Sequence, residues 1–149
     1  MYSISIKYFF LSLGIIMISC VHNKQERKYK DQVKTVETLI HYLTTNDDVS
    51  VRKLIGTDLA SIGMNDEILL FNIHKANEYL RDHKISSKSD FKFKEYPKDD
   101  ALLVDIAVPL ENHESGGDRI YLVIYFAKYI EKGGILNFRI IEDNSLLNF

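Results

Sequence analysis

ALLVDIAVPL (residues 101–110), RIYLVIYFAKY (119–129) and ILNFRIIED (135–143) are the stretches that decide the fold. In the first, Leu102, Val104, Ile106, Val108 and Leu110 alternate with other residues; in the second, Ile120, Leu122, Ile124 and Phe126 do so; in the third, Leu136, Phe138 and Ile140. Side chains two residues apart share one face of a strand, so each run presents one apolar face. ENHESGGD (111–118) and EKGG (131–134) separate the runs with turn chemistry, and Gly116-Gly117 and Gly133-Gly134 read as hairpin turns. Upstream, DFKFKEY (90–96) alternates in the same way. The pattern predicts four antiparallel strands. Pro109 sits on the opposite parity from the apolar set and has no N–H to give a ladder, which predicts an edge or a bulge there.

The residues before this block have a different period. Val33, Val36, Leu39, Ile40 and Leu43 recur at steps of three and four, one stripe of a helix. TTNDD (44–48) breaks it, and Asp47 or Asp48 can cap a short second helix carrying Val51, Leu54 and Ile55 and stopping at Gly56. Asn65 can cap a third helix, with Asp66 and Glu67 against the positive end of its dipole. Ile68, Leu69, Ile73, Ala76 and Leu80 form its expected buried face; it frays near His83, and ISSKSD (85–90) reads as a loop. Helices first and a meander afterwards predict an α+β domain, three N-terminal helices packed on a curved four-stranded antiparallel sheet.

The chain has 149 residues, one ordinary domain's worth, and a formal net charge of −2. Basic and acidic residues are interspersed, which argues against nucleic acid as a partner. A single cysteine forbids an internal disulfide and any cysteine-based zinc cluster.

That cysteine stands behind YFFLSLGIIMIS (8–19). Lys7 supplies a positive start, and the apolar run from Tyr8 to Ile18 is too short for a stable membrane span of about 20 residues. Its length suits the apolar region of a secretory signal, about 7–15 residues. Met17-Ile18-Ser19-Cys20 resembles the lipobox of bacterial lipoproteins, with Met17 where that pattern usually has Leu. The resemblance implies a thioether-linked diacylglycerol on the Cys20 sulfur, cleavage before Cys20, acylation of the new amine (palmitate among the acyl chains), and a stable membrane anchor. Two or more chains hold firmly where one does not. Residues 1–19 are then signal peptide, 20–28 the lipidated cysteine and tether, and 29–149 a single domain. Val21, not Asp, follows Cys20; in enterobacteria that resembles outer-membrane rather than inner-membrane sorting. The expected address is the cell envelope.

The order of the mature chain, with VETLIHYLTTNDDVSVRKLI (36–55) ahead of long hairpins, resembles the nuclear transport factor 2-like fold, a cone in which a long helix lies across a bent sheet. That family usually has a small strand between its second and third helices, and none is legible here. A cystatin-like domain is the alternative. The resemblance does not fix an activity, because the fold hosts isomerases, dehydratases and transport factors alike.

Acid–base residues in enzymes of that fold project between helix and sheet. His41 and His74 lie off the apolar stripes of their helices, and His83 and His113 lie in frayed or loop sequence. No histidine pair has metal-ligand spacing, and neither Gly-x-Ser-x-Gly nor a phosphate loop occurs. No catalytic residue, metal ligand or cofactor is assigned. Parity instead groups Asp105, Tyr121, Val123, Tyr125, Asn137 and Arg139 on the sheet face opposite the apolar set. Tyrosines with an arginine resemble the centre of an interface, and in the family resembled this face is often where two subunits meet. The plainer alternative is a half-wet face with cross-strand pairs such as Asp105 with Arg139. A bulge that inverts the parity would turn Asp105 and Arg139 into the cone. Three functions stay open: a non-enzymatic envelope binding protein with a ligand, a protein partner or a second copy; a small enzyme with a carboxylate or tyrosine in the cone; and an envelope immunity or inhibitor protein.

Overall fold

The computed structural model describes residues 24–55, 65–111, 120–130 and 134–142. Cys20, the signal stretch 1–19, His22, Gly56, His113 and the glycines at 116, 117 and 133 lie outside them. By its contacts the chain divides into Met1–Lys30 and Asp31–Phe149. In the first unit residues 24–28 are helical; the second holds the sheet.

Helix α1, Lys30–Thr44, buries Val33, Val36, Leu39 and Leu43, and the apolar stripe is the reason it exists as a helix here. It ends where Asn46 takes φ 54°, a left-handed conformation that Asn tolerates better than most residues. The Asn46 N–H then donates to Leu43 O at 3.2 Å and the Asp47 N–H to Tyr42 O at 2.9 Å, closing the helix end with a Schellman pair. Asp47 at once begins helix α2, Asp48–Leu54, its Oδ1 accepting the Ser50 N–H at 3.1 Å. The Ser50 side chain first, and this backbone bond second, hold the Asp47 carboxyl below the usual aspartate range. Helix α3, Asp66–Asp82, is capped as the sequence predicts, Asn65 Oδ1 accepting the Ile68 N–H at 2.8 Å. Leu69, Ile73, Ala76 and Leu80 are buried. Ile68 is not: it is 45% exposed, one helical step of about 100° away from Leu69.

The sheet has five strands rather than the four expected. The addition is β1, Lys84–Ile85, two residues after the His83 cap of α3, where the sequence predicts a fraying end running into a loop. A single 3₁₀ turn, Lys88–Asp90, leads to β2, Lys92–Glu95. Then come β3, Leu102–Glu111; β4, Ile120–Ala127; and β5, Asn137–Ile141. All pairings are antiparallel, in the order β1-β3-β4-β5, with β2 also on β3. The register shifts between Leu102 and Val104, ahead of Asp105, so the parity of the remaining strand is intact.

No bulge is recorded at Pro109, and β3 is not an edge. The break falls in its neighbours instead. Lys92 is level with Ala107 and Ile85 with Leu110, and the chain leaves the sheet between them. Pro109 O accepts the Ser86 N–H at 3.1 Å. A strand residue's N and O point the same way, so the missing donor of Pro109 faces that gap.

Val104, Ile106, Val108, Leu122, Ile124, Phe126 and Phe138 are all at most 1% exposed on one side of the sheet. Helix α3 packs against β5 on this side, where Lys75 Nζ pairs with Glu142 Oε1 at 2.6 Å. After α2, Ile55 makes a single parallel bridge with Ile135, and the Ile135 N–H donates to Leu54 O at 3.0 Å. No helix among the described residues is long and apolar enough to cross a membrane.

Candidate functional site

The register turns parity into rows on the other side of the sheet. Lys94, Asp105, Tyr125 and Asn137 lie side by side across β2, β3, β4 and β5; Lys92, Ala107, Val123 and Arg139 form the next row, and Pro109, Tyr121 and Ile141 the third. Asp105 therefore faces away from the apolar side.

Asp105 is 4% exposed, the one buried charged residue among those described. Its Oδ2 accepts the Tyr96 hydroxyl at 2.5 Å, while Oδ1 is buried with no hydrogen-bond partner. Burial pushes the carboxyl above the usual aspartate range; the Tyr96 bond, Lys94 and Arg139 pull the other way without prevailing. The Tyr96 phenol is driven well above its ordinary value by burial first and by Asp105 second. Asp105 and Tyr96 thus form a polar pair in which the phenol donates and the carboxyl accepts. With the unpartnered oxygen sealed, the pair does not present a base to a reacting molecule.

Arg139 stays outside this pair. Its Nε donates to the Tyr125 hydroxyl at 2.6 Å, and its cross-strand neighbour is Val123. The expected Asp105–Arg139 pairing does not form, because β4 stands between β3 and β5. Burial raises the Tyr125 phenol, and Arg139 partly offsets that. Tyr121 is 1% exposed and packs in a small second apolar cluster with Ala107, Val123 and Ile141, Tyr125 against its side. Asn137 is tied inward: its Oδ1 accepts from Asn72 Nδ2 of α3 at 3.3 Å and from the Phe138 N–H at 2.7 Å. Of the five candidates, Arg139 is exposed, Tyr125 and Asn137 are half-buried, and Asp105 and Tyr121 are buried.

Tyr96 was missed as a site residue, although the signal was present. Lys92, Lys94 and Tyr96 have one parity, which puts the tyrosine beside the carboxylate once β2 pairs with β3. A second missed feature is an open groove of about 520 Å³ along α3, with Phe71, His74, Glu78, Tyr79 and His83 in its wall. Phe71 is 65% exposed. His83 Nδ1 lies 3.0 Å from Tyr79 O and its ring stacks on Tyr79 at 5.4 Å, so this histidine supports a helix end. No cluster of three or more metal-ligating side chains occurs among the described residues.

No protein family, no characterised protein and no solved structure matches this chain.

Proposed function

We propose that this chain is a lipid-anchored protein of the bacterial cell envelope, outer membrane rather than inner, whose Asp31–Phe149 unit binds a partner and carries out no chemistry of its own. The observation that carries the reading is the position of Asp105. An acid–base enzyme of the cone type needs an ionisable group between helices and sheet. That side holds Ile106, Leu122, Ile124, Phe126 and Phe138, each at most 1% exposed, and the buried carboxyl lies on the other face, bonded to Tyr96. The address is supported by the lone Cys20 behind its short apolar run. The nuclear transport factor 2-like reading belongs to the same proposal. It is supported by helices ahead of long hairpins, and by the Ile55–Ile135 bridge in the interval where that family carries a small strand.

Two measurements test it. Labelled palmitate is expected on the wild-type chain and absent from Cys20→Ser; a chain that keeps residues 1–19 with a free thiol refutes the anchor. A photo-cross-linking residue at Arg139 in native membranes is expected to capture a neighbour, lipid or protein, that the same residue at Lys34, exposed on α1, does not. Identical capture from both positions refutes a partner-binding sheet face.

A further inference from the structure

The face that carries Asp105 has an uneven share of charge. Lys92, Lys94 and Arg139 stand on it, and their nearest carboxylate on the sheet, Asp105, is buried. At the far end of β3, Lys84 lies directly opposite Glu111, so those two offset one another. The chain as a whole is −2, so its acidic excess lies elsewhere. Each of the three cations also has a tyrosine ring beneath it. Lys92 Nζ is 4.9 Å from the Tyr121 ring centre, Lys94 Nζ 5.4 Å from Tyr96, and Arg139 Cζ 5.4 Å from Tyr125. These contacts hold the charged ends close over the sheet, and none of the ion pairs between described residues uses them.

A second copy is a poor occupant for this face. A two-fold contact sets the same patch against itself and brings like charges together. An anionic surface is complementary, and one is close at hand under the lipid-anchor reading, on which this step rests. Cys20 is ten residues before Lys30, a span of at most about 35 Å when extended. The long stems of lysine and arginine suit the border between headgroups and water, and exposed Lys92 and Arg139 reach it from above the buried Tyr121 ring and the half-buried Tyr125 ring. We infer that the Lys92–Lys94–Arg139 face lies on anionic lipid headgroups of the membrane that holds the anchor.

Each basic side chain near an anionic leaflet favours contact by a factor of about five, so three together give a preference of about a hundredfold. The test uses the full lipidated chain in vesicles of phosphatidylcholine alone, and of phosphatidylcholine mixed with phosphatidylglycerol. Lysines are acetylated and read by mass spectrometry, Lys92 and Lys94 against Lys34 and Lys53, which are exposed on α1 and α2. The ratio is expected to fall about tenfold or more in the anionic vesicles only. It should recover near 1 M salt, where the screening length is about 3 Å. Arg139→Gln should weaken the protection about fivefold. Equal ratios in both vesicles overturn the inference; so does protection in native membranes that is missing from protein-free anionic vesicles, which would assign the face to an acidic protein. Flotation with the phosphatidylcholine vesicles reads the anchor by itself. A chain that does not float there overturns the anchor and this inference together, and one that floats with unchanged lysines overturns this inference alone.

Discussion

Tyr96→Phe removes one oxygen and leaves Asp105, 4% exposed, with both carboxyl oxygens unpartnered. Its cost depends on whether the carboxyl is charged. A hydrogen bond to a charged group contributes about 1.5–3 kcal/mol and one between neutral groups about 1 kcal/mol. Tyr96 is half-exposed, which favours the lower part of the range. The expected loss is about 2 kcal/mol at pH 7 and about 1 kcal/mol at pH 4. The direction of the pH effect follows from the wild-type fold. Burial raises the Asp105 carboxyl above its unfolded value near 3.9, so between the two values the folded chain binds the extra proton. Stability from this group is therefore full below the unfolded value and falls as pH rises towards the native one. The assay is urea unfolding by circular dichroism at both pH values, the chain having no tryptophan. The partner variant is Asp105→Val combined with Tyr96→Phe. With both polar groups replaced by apolar ones, stability should return to within about 0.5 kcal/mol of wild type at pH 7, or exceed it. A Tyr96→Phe variant as stable as wild type at pH 7, or a double variant weaker than the single one, would refute the account of a buried, mutually dependent pair.

Other outcomes follow from the same structure. Asn65→Ala should lose about 1 kcal/mol in the same urea assay by removing the bond to the Ile68 N–H, while Asn65→Asp should retain most of it. Asn46→Val should cost about 1–2 kcal/mol, because a β-branched side chain resists φ 54°, whereas Asn46→Gly should be neutral or stabilising. Phe138→Ala, in a fully buried site, should cost about 3–5 kcal/mol and leave little folded protein in a thermal scan. Arg139→Gln should raise the titration point of the Tyr125 phenol, read by tyrosinate absorbance, since it removes the charge that lowers it.

Most of the element order was legible because it is written in periodicity. The stripe of Val33, Val36, Leu39 and Leu43 and the alternation through Ile106, Leu122 and Phe138 each need only local sequence. The caps at Asp47 and Asn65 were legible for the same reason. Strand β1 was not, since two residues have no period to read. Ile68 was assigned to the buried face of α3 because an apolar residue next to Leu69 looks like part of the stripe, yet neighbours on a helix diverge. The site shows the limit most clearly. Parity gives the face on which Asp105 and Arg139 lie, but only register gives their neighbours. One intervening strand, β4, turned the expected ion pair into Asp105 with Tyr96 and Arg139 with Tyr125. Tyr121, read as an interface residue, is buried in the second apolar cluster.

Pro109 has a bearing on how the sheet tolerates a break in its ladder. Where β1 stops and β2 has not begun, β3 has no strand beside it, yet Pro109 and its neighbours Val108 and Leu110 are buried. A buried backbone N–H left without a partner costs about 1–3 kcal/mol. The imino acid carries no such donor at that level, and its carbonyl is taken by Ser86. Any other residue here would bring an amide hydrogen into the interior with no rung to meet it.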